Sequence, residues 1–204
     1  LEFRIAASPG GGGVPAQPLD VATYAQRLDE KGPRAGLTED WRWFKVQSLE
    51  KFFDETEARE ALIESPEQAA SEFLRFGLVA RAYGGDFYIL LSTTPGTSMT
   101  GNDDWPLTST TRISDELGRP AVGFALDAKG AALMGQLTGG NVGRQMAIVL
   151  DGELMSAPTL QSQLTSGGSI TGEFSPAEYR YLLNTLAAGS LEGQLSNDPN
   201  SQKT

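Results

Sequence analysis

The chain has 204 residues and a formal net charge of −10, with neither histidine nor cysteine. Those two absences exclude Ser-His-Asp triads, imidazole metal ligands, thiolate zinc sites, disulfides and cysteine nucleophiles. The acidic balance, with isolated cations in "GPRAG" and "LGRP", lacks the clustered Lys and Arg that a phosphate backbone requires.

A hydrophobic fraction of 39% and a charged fraction of 21% suit a globular chain. No apolar run reaches the roughly 18 residues of a membrane-crossing helix. No basic and then apolar leader opens the chain. "LEFRIAA" already reads as the middle of a strand, so the chain is expected to be a piece of something longer. Residues 8–18, "SPGGGGVPAQP", cannot hold regular structure and read as a connector. "LDVATYAQRLDEKG" places Leu19, Ala22, Tyr24, Ala25 and Leu28 near helical spacing, and Gly32-Pro33 stops it. "WRWFKVQ", residues 41–47, is aromatic and β-branched and reads as a strand. "SLEKFFDETEAREALIES" reads as a helix, or a short strand-to-helix passage, ending before Pro66. Trp41, Trp43, Phe52 and Phe53 are expected in the core.

"FLRFGLVARAYGGDFYILLSTTP" reads as a hairpin turning at Gly84-Gly85, and residues 94–104 as a loop carrying Met99. A second hairpin is expected in "PLTSTTRISDELGRPAVGFALD", turning near Leu117-Gly118. Asp127 caps a helix through Ala131, Leu133, Met134 and Leu137 that stops at Gly139-Gly140. "QMAIVLDGELMSAP" follows as strand, turn, strand, and "GGSITGEF" as a short strand. The last helix starts from Ser175, with Pro176 first, Glu178 completing a capping box and Gly189 at its end. From residue 104 to 195 the order is β-β-α-β-β-β-α. The expected class is α+β: a largely antiparallel sheet with helices packed on one face, plus an inserted or elaborated α/β N-terminal portion.

Candidate chemistry is sparse. Asp151 and Glu153 flank Gly152 between β-rich runs, the pattern of a tight hairpin turn, and nothing nearby supplies the pocket that acid/base work needs. "SPGGGG" and "LTGGNVG" match neither phosphate-loop pattern, and the second follows a helix where a phosphate loop precedes one. Asp103-Asp104 and Asp115-Glu116 lack calcium-loop spacing and read as solvated acids. Ser156-Ala157-Pro158 ends a strand abruptly, leaving an edge that a partner can use.

Residues 118–191 carry, in order, G-x-P-x-V-x-F-x-L before a helix, T-x-x-N near its end, A-I-V-L-D-G followed by S-A-P, a short I-x-G-x-F, and a helix ending A-G-S-L. This set strongly resembles the first periplasmic domain of SecD, in the SecDF protein-export family. "LEFR" resembles the strand leading out of that domain's base subdomain. The resemblance implies residues 1–7 as that strand, 8–18 as a Gly/Pro linker, 19–104 as a lineage-specific elaboration, 105–195 as the head subdomain and 196–204 as a disordered tail. It implies an inner-membrane protein with this portion in the periplasm. That protein assists Sec-dependent translocation, holding the emerging preprotein and working with SecF and the SecYEG channel. The family's proton-coupling residues lie in transmembrane segments, so no catalytic, cofactor or metal site is expected here. Met99, Met155, Ser156, Ala157 and Pro158 are the candidate preprotein contacts, methionine being adaptable in shape, together with the exposed side of the residue 146–157 hairpin. A non-catalytic docking domain anchored by Trp41 and Trp43 is the alternative. A carboxylate glycosidase, which needs two facing acids in a cleft, is the third.

Overall fold

The computed structural model describes residues 1–8, 21–34, 40–53, 55–103, 105, 107–114, 118–170, 176–177, 179–184 and 186. Most of the connector read at 8–18, the capping box of Ser175 and Glu178, Gly189, the tail at 196–204, Asp104 and the Asp115-Glu116 pair lie outside the described residues. The chain forms two compact units, one of residues 2–99 and 141–161, the other of residue 1, 100–140 and 162–204.

The larger unit begins with β1 (Glu2–Ile5), α1 (Val21–Lys31) and β2 (Trp41–Val46). Next come α2 (Thr56–Glu64), α3 (Ala69–Leu74), β3 (Ala80–Tyr83), β4 (Asp86–Ser92) and β5 (Ser98–Met99). In the smaller unit lie β6 (Leu107–Ser114), β7 (Pro120–Leu126) and α4 (Ala128–Gly139). The chain then returns to the larger unit for β8 (Met146–Leu150) and β9 (Glu153–Ser156), and β10 (Gly167–Ile170) belongs to the smaller.

The seven strands of the larger unit run β3-β4-β2-β9-β8-β1-β5. All pairs are antiparallel except β2 with β9, where Lys45 aligns with Glu153 and Val46 with Leu154. The sheet curls back on itself. Beyond β1, Ala6 bridges Leu91, the Ala7 N–H donates to the Leu90 carbonyl at 2.9 Å, and Arg4 Nη1 donates to the Ser92 carbonyl at 2.9 Å. Because side chains alternate along a strand, one face gathers Ala6, Phe44, Val46, Ile89, Leu91, Ala147, Val149 and Leu154. Leu62 of α2 and Ala69 and Phe73 of α3 seal that face. Trp41, Trp43, Tyr88 and Leu90 gather on the other, sealed by Leu28 of α1. Each fully buried Phe or Leu contributes about 1.5–3 kcal/mol from leaving water.

The smaller unit holds a three-stranded antiparallel sheet in the order β10-β7-β6. Val122, Phe124 and Leu126 are buried on one face, where Leu126 lies against Gly130 of α4, while Thr111 and Ile113 are exposed on the other. Asp127 Oδ1 accepts the Gly130 N–H at 2.7 Å, the cap expected there. Thr138 is fully buried and doubly bonded: its Oγ1 donates to the Met134 carbonyl at 2.7 Å and accepts the Leu164 N–H at 2.9 Å.

The α+β class stands, with three departures in detail. First, β8 and β9 follow α4 in the expected order but pair with β1 and β2, not with the strands around them in sequence. β8 is buried at all five positions, which suits a central strand covered on both faces. Second, the larger sheet carries helices on both faces, because β2 and β4 are apolar on both. Third, the hairpin read from Phe73 onward starts later. Residues 69–74 are helical and the first strand begins at Ala80.

Candidate functional site

The strands of the residue 146–157 hairpin lie inside the sheet, β8 being buried throughout and β9 at Leu154 and Met155. β8 pairs with β1 along its length, and β9 is held between β8 and β2. Its turn is the tight one expected: Asp151 has φ 51° and Gly152 φ 82°, both in the left-handed region. Glu153 aligns with Lys45, whose Nζ lies 2.9 Å from Asp86 Oδ1. The hydrogen bond to Asp86 raises the Lys45 pKa above its ordinary value, and the charges of Asp86 and Glu153 add to it. Glu153 thus belongs to a partly exposed charge cluster with Lys45 and Asp86, and Asp151 sits exposed in the turn. No group of three metal-ligating side chains occurs among the described residues.

The five candidate contact residues separate. Met99 and Met155 are each 1% exposed. Met99 aligns with Phe3 across β1 and β5, and Met155 Sδ lies 4.0 Å from Lys51 Nζ. Both methionines fill the interior, and their side chains present nothing to a partner. Ser156 and Ala157 are half-buried and Pro158 is exposed. On the side facing β8 the strand leaves no free edge there, while its pairing with β2 ends at Leu154. Past the break the ladder resumes, with the Met146 N–H donating to the Pro158 carbonyl at 2.9 Å and the Leu160 N–H to the Arg144 carbonyl at 2.8 Å. Ser156 Oγ is buried and has no hydrogen-bond partner among the described residues.

The tryptophan anchor fails for the same reason as the methionines. Trp41 is 4% and Trp43 8% exposed, and Trp43 Nε1 donates to the Tyr24 carbonyl at 2.9 Å. Sequence reasoning passed over Arg144 altogether. It is 6% exposed, its Nη1 donates to Asn141 Oδ1 at 2.8 Å and its Nη2 to the Ala6 carbonyl at 3.1 Å, and burial lowers its pKa. The T-x-x-N pattern ending at Asn141, three residues before Arg144, was the available signal.

Residues 90–193, just over half of the chain, match the family described as SecDF, P1 head subdomain. The chain belongs to that family. Among similar proteins, the protein translocase subunit SecD of Elusimicrobium minutum is 47% identical over 79 residues, covering 39% of this chain and 17% of the relative. SecD of Rhodobacter capsulatus is 43% identical over 105 residues, covering 51% of this chain and 18% of the relative. A crystal structure of SecDF in a super-membrane-facing form aligns over 74% of this chain and 19% of its own, at 26% identity and a TM-score of 0.43. The chain therefore spans less than a fifth of the length of these SecD relatives, and residues 1–89 lie outside the SecDF P1 head match.

Proposed function

We propose that this P1 head module handles unfolded preprotein during Sec-dependent export, as part of an inner-membrane SecD-type protein whose periplasmic side includes these residues. Membership of the SecDF P1 head family carries the reading. SecF and the SecYEG channel are its partners through the longer protein. Ser156, Ala157 and Pro158 remain the proposed contact segment, because β9 ends at Ser156 and Pro158 is exposed while the flanking ladder holds the segment in place. Residues 19–104 elaborate the head, and their tryptophans serve its core rather than a docking partner.

The test is retention of an unfolded secretory protein. The purified chain is expected to slow proteolysis or aggregation of a reduced, unfolded precursor and to leave its folded form untouched. Equal effects on folded and unfolded forms would overturn the reading. For the contact segment, a photoreactive residue at Pro158 in the full-length protein is expected to label a translocating precursor more than one at Ile113. Equal labelling at the two positions removes the segment from the proposal.

A further inference from the structure

β3 is an edge of the larger sheet, and a cavity lies against it. The Tyr83-Gly84-Gly85-Asp86 hairpin has a two-residue turn with φ 61° and 85° at its centre, which makes Tyr83 and Asp86 a mutually hydrogen-bonded pair. Hydrogen-bonded pairs alternate along the ladder, so Arg81 and Tyr88 form the next, and the Leu90 N–H donating to the Val79 carbonyl at 3.0 Å agrees with that phase. Ala82 therefore points its N–H and C=O away from β4. Ala80 shares that phase but is 5% exposed, whereas Ala82 is half-buried and borders the cavity.

The cavity, of about 320 Å³, is walled by Pro66, Ala69 and Ala70 on the side of Ala82, and by Asp29 of α1 on the side of Arg81. Arg81 is already matched. Its Nε and Nη2 donate to the two carboxylate oxygens of Asp29 at 3.2 and 2.5 Å. Glu67, also on the lining, is exposed, and its side chain makes no ion pair or hydrogen bond among the described residues. The groove thus offers one main-chain donor and acceptor, a small apolar wall, and one unmatched negative charge.

We propose that this groove takes an extended polypeptide segment as an added strand on β3, with a Lys or Arg of the segment meeting Glu67. Strand addition between a sheet edge and flanking helices is an established mode of peptide binding. Main-chain bonds supply affinity and side chains at alternate positions supply selectivity. The small wall of Ala69 and Ala70 admits a β-branched or smaller side chain beside Ala82. The inference rests on the preprotein reading for its biological ligand, but its site lies outside the family match and apart from Ser156–Pro158.

The probe is a short, dye-labelled, end-capped peptide of alternating serine and valine with a central lysine, titrated into the 204-residue chain by fluorescence anisotropy. The same peptide with a central glutamate is expected to bind about tenfold more weakly, a charge-assisted contact being worth roughly that factor. Glu67→Lys is expected to reverse the order of the two peptides. Ala82→Pro removes the outward N–H without touching the β4 ladder, a position where an edge strand tolerates proline, and is expected to abolish binding of both with an unchanged circular dichroism spectrum. Should Ala82→Pro lose its fold, N-methylation of alternate peptide bonds in the probe tests the same hydrogen bonds from the other side. Binding untouched by Glu67→Lys and by N-methylation would overturn the groove proposal. Retention of unfolded precursor by both variants would in that case leave the preprotein reading standing.

Discussion

Arg144 reaches back 138 residues to Ala6, its Nη2 donating to the Ala6 carbonyl at 3.1 Å while its Nη1 holds Asn141 Oδ1 at 2.8 Å. Ala6 is where β1 leaves β8 and meets β4 through Leu91. The guanidinium therefore fastens the place at which the seven-stranded sheet closes. Arg144→Met is expected to cost about 3 kcal/mol, because two buried acceptors lose their donor. Arg144→Lys recovers less than half, since an ammonium cannot span both acceptors in the guanidinium's fixed fork. Urea denaturation of the three proteins measures this, and a midpoint for Arg144→Met within error of wild type would refute the fastening role.

Met99 and Met155 carry a second prediction, about stability rather than binding. Both are 1% exposed, so truncation to alanine leaves a cavity and is expected to cost about 2–5 kcal/mol each. Methionine to leucine conserves volume and is expected to cost less than about 1.5 kcal/mol. Labelling of an unfolded precursor from either position is expected to match that from other buried sites. Strong crosslinking from Met99 with undiminished stability of Met99→Ala would show that it opens to the surface.

What the sequence made legible follows from the range of each interaction. The Asp151-Gly152 turn, the Asp127 cap and the Gly84-Gly85 hairpin depend on backbone and side-chain groups within four residues, and each was read correctly. The SecDF likeness was also local, a chain-ordered set of short patterns from Gly118 to Leu191. Sheet partners were not legible. β8 and β9 look like neighbours of β7 and β10, yet β1 and β2, more than a hundred residues earlier, claim them. The burial of Met99 and Met155 follows from those pairings. Nothing in "MSAP" shows that the β8 side goes on pairing there, through the Met146 N–H and the Pro158 carbonyl. Met99 was placed in a loop because β5 has two residues and exists only through its pairing with β1. That β3 rather than β4 is an edge strand among the described residues has no local mark either.

The Lys45–Asp86 pair makes a prediction about pH. The pKa of Lys45 is raised in the folded state, chiefly by its hydrogen bond to Asp86. The charged form is therefore favoured by folding. Its contribution is fully present below the unfolded lysine value near 10.5 and fades as pH rises through the higher folded value. Both side chains are about two-fifths exposed, at 39% and 42%, so solvent screening holds the contribution below about 1 kcal/mol. Lys45→Met is expected to show the same small penalty at pH 6 and pH 8, shrinking above pH 10.5 and in high salt. A penalty that grew with alkaline pH would contradict the pairing.

Gly167 supplies the sharpest steric test in the smaller unit. It aligns with Ala125 where β10 meets β7, and a Cβ built on it falls 2.1 Å from the Phe124 carbonyl oxygen and 2.9 Å from the Ala125 Cα. Both obstacles are backbone, so no rotamer change relieves them. Gly168, the next residue, would place its Cβ 3.2 Å from the tip of the Phe124 ring, which can shift. Gly167→Ala is therefore expected to cost about 3 kcal/mol or more, at the upper end of overpacking penalties, and Gly168→Ala about 1 kcal/mol. Hydrogen exchange separates this from general loosening. The amides of β10 and their partners on β7 are expected to lose protection in Gly167→Ala, while those of β1 and β8 keep theirs. Equal protection of β10 in the two variants would mean that β10 does not approach β7 as closely as the register between Gly167 and Ala125 requires.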